Sequence, residues 1–329
     1  MTTKEQVQLE LERAGGGFLS GTQLAQQLGV SRNAVWKAVQ TLQKEGIPIQ
    51  AVSNRGYAIP PAGQGLSASG IYRQLPDPGR FILHVHDTVT STNTLVRELA
   101  QQDAPEGTVV LANAQTAGRG RCGRAFYSPC RSGIYMSLLL RPGLPVEETL
   151  FITAAAAVSV AEAIDSAAGV QTRIKWVNDI YLHERKVCGI LTEAALDLEN
   201  GMLRYGVLGI GINIAPPEGG FPPELSGIAG SLFPEGQVPE GFADRLAAGV
   251  LSAFDARYRA LPSHSFLTMY RERSMLTGRQ VTVVQGEREQ EAVVCGIDES
   301  CRLLVQYPDG TETALSSGEV RIRPHLREK

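Results

Sequence analysis

Seven consecutive residues, Gly118 to Arg124, read G-R-G-R-C-G-R, and an apolar strand-like run, Ile134–Leu140, follows them. Glycines leave backbone N–H groups open to a close-fitting ligand. The guanidiniums between them are planar, permanently charged forks that match phosphate or carboxylate oxygens. The pattern predicts a polyanion site in a loop that stays mobile until its ligand arrives. A solvated basic loop, or an Arg-Gly segment for single-stranded nucleic acid, is the plainer alternative. The loop lacks interleaved aromatics, which disfavours nucleic acid.

Four more features bear on the same chemistry. Thr90-Ser91-Thr92-Asn93 stands where a strand ends and a helix opens. Its hydroxyls and backbone N–H groups can form a polar nest for an acceptor, although a simple helix N-cap uses the same residues. Gln115 closes the strand ahead of the Gly/Arg loop, with an amide that donates and accepts at once. Lys175-Trp176-Val177-Asn178-Asp179 and then Lys186-Val187-Cys188-Gly189 predict two lysines on adjacent strands of a hairpin. A buried lysine there would neutralise a carboxylate or phosphate, and unpaired it would be costly; two exposed strand lysines are the alternative. Gly209-Ile210-Gly211-Ile212-Asn213 is not G-x-G-x-x-G and no helix follows, so a dinucleotide fold is not indicated. Glycines inside a strand predict a ligand lying against the backbone.

Absences narrow the reaction. The chain has no G-x-x-x-x-G-K-[ST], G-x-S-x-G or H-E-x-x-H, the signatures of phosphate loops, serine hydrolases and zinc proteases. His84, His86, His183, His264 and His325 form no ligand set. The candidates are donors and cations rather than acids, bases or nucleophiles. That suits a nucleophile that is already charged, a carboxylate attacking the α-phosphate of ATP, with catalysis by placement and charge neutralisation.

The elements that must position these residues fall into three segments of a multi-domain α+β chain. Residues 1–63 predict a winged helix-turn-helix. A polar helix (Lys4–Ala14) precedes a short helix (Thr22–Leu28), a turn at Gly29 and a longer helix that Ser31 caps and that runs to about Glu45. A hairpin follows, Ile47–Val52 and Tyr57–Ile59 around a turn at Ser53–Gly56. Arg32, Asn33, Trp36 and Lys37 fall on the first turns of the longer helix, where base edges are reached. Arg55 at the wing tip suits a phosphate or the minor groove. Residues 1–60 carry six Lys and Arg against four Asp and Glu, a local +2. A winged helix used for protein contacts is the alternative. Pro60–Gly65 is the linker. Residues 66–273 alternate strands and helices, which predicts a mixed sheet covered by helices. Its strands are Phe81–His86, Thr108–Ala114, Gly133–Leu140, Ile174–Val177, Lys186–Ala194 and Arg204–Ile214. Its helices are Thr92–Gln101, Glu147–Ala168, Ala243–Arg259 and Ser265–Met275. Residues 276–329 hold short β runs at regular spacing, predicting a small SH3-like β-barrel with no catalytic residue.

Totals set the bounds. At 329 residues the chain is long for one domain, and its formal net charge of −3 confines DNA binding to a local patch. The longest apolar candidate, Leu150–Ala168, is interrupted by Glu162 and Asp165, so no membrane span is expected. The N-terminus is polar and lacks a signal-peptide core. Five cysteines without a C-x-x-C pair argue against a disulfide framework or a zinc site and for a reducing cytoplasm.

Gly118-Arg-Gly-Arg-Cys-Gly-Arg124, Lys175-Trp-Val-Asn-Asp179, Lys186-Val-Cys-Gly-Ile-Leu191 and Gly211-Ile-Asn213 resemble, in order and spacing, the biotin protein ligases. The winged helix in front and the barrel behind are similar to the bifunctional ligases that also repress the biotin operon. The resemblance covers nearly the whole chain. It implies a class II synthetase-like catalytic domain that makes biotinyl-5′-AMP and pyrophosphate from biotin and ATP with Mg²⁺. The biotinyl group then passes to a lysine of a biotin carboxyl carrier domain. It further implies a homodimer, promoted by the adenylate, that binds operator DNA. By motif, Ser91, Thr92 and Asn93 would line the biotin pocket, and Gln115, Arg119, Gly120 and Arg121 would contact biotin or adenylate. Lys186 would hold the carboxylate as it becomes an acyl phosphate. Lys175, Asn178 and Asp179 would shape the nucleotide side, Asp179 contacting magnesium. Asn213 would reach the adenine, and Phe126 stands where the family commonly has a tryptophan beside it. Val177 replaces the usual proline, implying a looser hairpin, and Cys122 lies inside the anion loop as an oxidation-sensitive thiol. The rival readings are a lipoate ligase, which resembles the same catalytic fold, and a ligand-sensing repressor without catalysis, against which Lys186 and both arginines argue.

Overall fold

The structure, a computed structural model, describes residues 2–44, 47, 49–52, 55–59, 65–145, 148–196, 201–286 and 288–322. Three helices open the chain: α1 (Thr3–Arg13), α2 (Gly21–Leu28) and α3 (Arg32–Lys44). A hairpin of β1 (Gln50–Val52) and β2 (Gly56–Ala58) follows. Gly29 ends α2 at φ +65°, a left-handed turn that costs glycine no Cβ clash. The Ser31 hydroxyl accepts from the Ala34 N–H at 3.1 Å and starts α3. Val7, Leu11, Leu24, Val35, Val39 and Leu42 make the small core that fixes the three helices. The predicted wing tip at Ser53-Asn54 and the linker at 60–64 lie outside the described residues, as do Glu45, Glu147 and the C-terminal tail from 323.

The winged helix is seated on the next domain. Helix α1 packs on α4 (Ala68–Gln74), and Arg73 Nε donates to the Gly15 carbonyl at 2.8 Å. Helix α4 is fastened in turn by Ser67, whose N–H and hydroxyl donate to the Asp244 carboxylate at 2.9 and 3.0 Å. Burial pushes the Asp244 carboxyl above its ordinary range, and the Ser67 bonds oppose that.

The central sheet has seven strands: β3 (Ile82–Val89), β4 (Thr108–Gln115), β5 (Gly133–Leu140), β6 (Arg173–Lys175), β7 (Asp179–Leu182), β8 (Arg185–Leu196) and β9 (Leu203–Asn213). They lie in the order β3-β4-β5-β9-β8-β7-β6. Strands β3 and β4 are parallel and the other neighbours antiparallel, which gives the mixed sheet that was expected. Strand β7 was not expected; it separates the two lysines, which therefore do not sit on adjacent strands. Its alternation, Ile180 and Leu182 buried with Asp179 and Tyr181 partly exposed, is a short period-2 signal hidden in what reads as a turn.

Helices α6 (Thr149–Ala168) and α7 (Phe242–Arg259) cover one face, with the short α8 (Leu267–Glu272) beside them. Helix α6 is apolar and long enough to cross a membrane, yet 72% of that stretch is buried inside the protein. Its run Ala154–Ala157 is fully buried; side chains this small let a helix lie close to its neighbours. Helix α5 (Thr92–Gln101) covers part of the other face through Val96, Ala100, Val110, Leu139 and Val207. Strand side chains alternate between faces. The parity of Leu139 and Val207 therefore continues as Ser137 on β5 and as Gly209, Gly211 and Asn213 on β9. Through the pairs Gly189↔Gly211, Leu191↔Gly209 and Glu193↔Val207, it continues onto β8. Helix α5 packs chiefly on β4, β5 and β9 and touches β8 through Asn93 and Arg97 at Glu193; beyond Glu193 the face opens over β8, β7 and β6.

The C-terminal strands β10 (Gln280–Gln285), β11 (Arg288–Ile297), β12 (Leu303–Gln306), β13 (Glu312–Leu315) and β14 (Glu319–Ile322) form one antiparallel sheet, ordered β13-β12-β11-β10-β14. The expected barrel is not closed among the described residues. Strands β13 and β14 lie at opposite edges, and β14 turns instead to the central domain's open face.

Candidate active site

The open face forms a cavity of about 1070 Å³, and every central-domain residue expected at the site lines it. At its inner end Ser91 occupies the N-cap of α5, yet its side chain makes no capping bond, so the N-cap alternative does not account for it. The Thr92 N–H and hydroxyl donate to Gln115 Oε1 at 2.9 and 3.2 Å, and Gln115 Nε2 donates to the Ser128 hydroxyl at 2.9 Å. Ser137 Oγ lies 2.7 Å from Thr92 Oγ1 and 2.6 Å from Asn93 Oδ1. Asn93 Nδ2 donates to Glu193 Oε2 at 2.7 Å. The other carboxylate oxygen of Glu193 takes Arg97 at 2.9 Å, with Arg119 at 3.7 Å.

The Gly/Arg loop folds back on itself. Phe126 N donates to Gly118 O at 2.9 Å and Gly120 N to Arg124 O at 2.7 Å, around a single 3-10 turn at Arg121–Gly123. Cys122 holds that turn at φ +53° with its side chain exposed, a conformation uncommon for a residue with a Cβ. Arg119 leans toward Glu193, while Arg121 donates to Asn178 Oδ1 at 3.1 Å. Arg124 pairs with Glu319 of β14.

Phe126 reaches the sheet. A Cβ on Gly211 would stand 2.4 to 3.0 Å from three atoms of its ring, and one on Gly209 would stand 2.1 Å from Asn93 Oδ1. The strand glycines thus make room for the protein's own Phe126 and Asn93.

Opposite the loop, Lys186 Nζ stands 2.6 Å from Asp179 Oδ1. That oxygen has no aligned hydrogen bond, so the contact is ionic rather than directional. Lys175 lies 5.9 Å over the Tyr181 ring. Burial pushes its ammonium below the ordinary range, Asp179 partly restores it and Lys186 lowers it further. Burial and the Asp179 charge push the Tyr181 hydroxyl up to about 12. Lys175 and Lys186 are thus partly buried cations on one side of the cavity, not two solvated strand lysines. Asn178 is held twice by Ile190, through Nδ2 to Ile190 O at 2.6 Å and Ile190 N to Asn178 O at 2.9 Å. The Val177 junction is not loose: Val177 and Trp176 are buried, Tyr270 Oη donates to Val177 O at 2.8 Å, and Trp176 Nε1 donates to Cys301 O at 2.9 Å.

Asn213 lines the cavity, but its Nδ2 donates to Gly230 O at 3.0 Å. That bond clips the segment 228–230 beside Lys186, whose N–H donates to Ile228 O at 2.8 Å. Sequence reasoning missed Ser137, Glu193, Arg97 and the β14 wall. Ser137 is a lone small polar residue in an apolar run, and Thr192-Glu193 interrupts another, which was the available signal.

On the winged helix, Ser31 caps α3, and Arg32, Asn33, Trp36 and Lys37 are exposed on its first turns, Trp36 by 51%. Arg55 sits with its guanidinium 4.2 Å over the Phe18 ring, braced rather than freely extended.

A winged helix joined to a mixed-sheet domain, whose cavity offers amides and hydroxyls at one end and guanidiniums and ammoniums at the other, defines a ligase class with a DNA-binding module. Residues 85–213 match the biotin/lipoate A/B protein ligase family, residues 3–58 an HTH domain and residues 276–323 the biotin protein ligase C-terminal domain. The bifunctional ligase/repressor BirA of Bacillus subtilis strain 168 is 42% identical over 77% of this chain and 78% of its own. That of Escherichia coli K12 is 30% identical over 94% of each chain. Biotin protein ligase from Aquifex aeolicus, solved in complex with biotin and ATP, superposes with a TM-score of 0.61 and 26% identity over 73% of this chain and 98% of its own. The chain belongs to the biotin protein ligase family, among its bifunctional ligase/repressor members.

Proposed function

We propose that the protein activates biotin with ATP and passes the biotinyl group to a lysine of a biotin carboxyl carrier domain. In the first step a carboxylate oxygen of biotin attacks the α-phosphorus, the bond to the β-phosphate oxygen breaks, and pyrophosphate leaves. In the second the lysine amine attacks the acyl carbon, AMP leaves with the bonding pair, and the nitrogen loses a proton. The observation that supports this most is the meeting of the Gly/Arg loop and Lys186 across one cavity. Neither step needs a protein nucleophile, only fixed cations where negative charge collects.

Ser91, Thr92, Asn93 and Gln115 hold the biotin end. Arg119, Gly120 and Arg121 neutralise carboxylate and phosphates, and Lys186 holds the carboxylate as it becomes an acyl phosphate. Lys175 and Asn178 face the nucleotide, and Phe126 offers its ring to the adenine. No group of three or more metal-ligating side chains occurs among the described residues. Magnesium commonly arrives on substrate phosphates and takes one or two protein carboxylates, which Asp179 fits. The metal would neutralise phosphate charge there. The exposed face of α3 binds operator DNA for biotin-synthesis genes, and the adenylate-bound protein acts there as a cytoplasmic homodimer.

Labelled biotin, ATP-magnesium and a carrier domain test the reading. Label fixed to the carrier and pyrophosphate released in step are expected. Lipoate serving in place of biotin would transfer the assignment to the lipoate branch, and no adenylate with either acid would overturn it.

A further inference from the structure

We infer that Glu193 is a positioning residue that sets the direction of the Asn93 and Ser137 hydrogen bonds at the biotin end of the cavity. This rests on the reading of that end as the acid-recognition site. A carboxylate can only accept. With Oε2 at 2.7 Å, Glu193 forces Asn93 to present Nδ2 to it and Oδ1 to Ser137. Ser137 must then give its one proton to Asn93, across 2.6 Å, and has none left for Thr92 Oγ1 at 2.7 Å. Gln115 is oriented separately, by the Thr92 N–H at its Oε1 and by Ser128 at its Nε2. One acceptor-only group thus fixes which atoms of Asn93 and Ser137 remain for a ligand that carries both N–H and C=O groups. Asn93 Oδ1 sits in the space where Gly209 has no Cβ.

The remaining oxygen of Glu193 is taken by Arg97, with Arg119 close behind. A glutamine in its place has one acceptor for two demands. With its oxygen toward Asn93, its NH₂ meets the Arg97 guanidinium, donor against donor. With its oxygen toward Arg97, its NH₂ faces Asn93, which must flip and turn its own NH₂ on Ser137.

The test measures biotin binding alone by calorimetry, and the KM for ATP by pyrophosphate release at saturating biotin. Glu193→Gln is expected to weaken biotin about tenfold, the loss of roughly one buried hydrogen bond, with the KM for ATP within about twofold. Ser137→Ala, a substitution the strand tolerates sterically, removes a later link and should reproduce the biotin loss. Arg97→Met leaves the Glu193–Asn93 bond in place and should bind biotin near normally. In an Asn93→Ala background Glu193→Gln should add little, the non-additivity of a shared network. Unchanged biotin binding in Glu193→Gln and Ser137→Ala would overturn the inference, as would equal losses for biotin and ATP. A wild type that binds biotin yet releases no pyrophosphate would fail the ligase reading while leaving the Glu193 comparison intact.

Discussion

Replacing Lys186 by methionine separates what its ammonium does for the fold from what it does in the reaction. In the fold it stands 2.6 Å from Asp179 Oδ1, with the two side chains 28% and 21% exposed. A pair this open to water is worth no more than about 1 kcal/mol. Losing it leaves Asp179 Oδ1 without a hydrogen bond to fall back on, a further cost of about 1 kcal/mol. For a chain of this size those terms lower Tm by a few degrees. In the reaction the ammonium faces charge that grows as the carboxylate attacks phosphorus. Removing one such preorganised contact costs about 10²–10³ in kcat, roughly 2.7–4 kcal/mol. The KM for biotin should move little if the contact tightens only in the transition state. Pyrophosphate release at saturating biotin and ATP, with thermal unfolding in parallel, reads both effects. Asp179→Asn in the Lys186→Met background removes the orphaned charge, and it should restore Tm without restoring kcat. A kcat within about threefold of wild type, or a rate that recovers together with Tm, would refute the assignment.

Gly211→Ala places a methyl 2.4 Å from the Phe126 ring; it should displace the ring and raise the KM for ATP about tenfold, and an unchanged KM would show that the ring does not serve the nucleotide. Lys175 has its ammonium pushed below 10.5 by burial. Nucleotide affinity should therefore hold below the lowered pKa and fall as pH rises through it, while the fold itself gains stability over the same interval up to 10.5, because the buried charge is being removed. In Lys175→Arg, which does not titrate there, the alkaline loss of affinity should vanish; a parallel loss in both proteins would assign it elsewhere. Arg32→Ala and Lys37→Ala should each weaken operator binding and reduce the salt slope by about 1, measured by gel shift across a salt series; slopes equal to wild type would place α3 away from the phosphates.

Local chemistry made much of this legible in the sequence. The caps at Ser31 and Gly29 bound α2 and α3 because short polar and Cβ-free residues satisfy helix ends in any context. The Gly/Arg run, Lys186 and Gln115 stood out because their types are unusual beside apolar strands. What stayed hidden is pairing between distant strands. Asn93 and Glu193 are 100 residues apart, and nothing near either one encodes that β9 lies between β5 and β8. The bond from Asn213 to Gly230 stayed hidden for a similar reason: it crosses a turn-rich loop whose path no periodicity sets. The small barrel failed because strand spacing gives the number of strands but not whether the outer two meet.

Strand β14 gives the cavity one of its walls, and Arg124 reaches across to Glu319 on it. A C-terminal appendage that reads as catalytically silent is therefore part of the reaction vessel. Anyone grafting the central domain into a chimera, or trimming the chain after Met275, would be building a cup with one side missing, and should transplant the tail along with it.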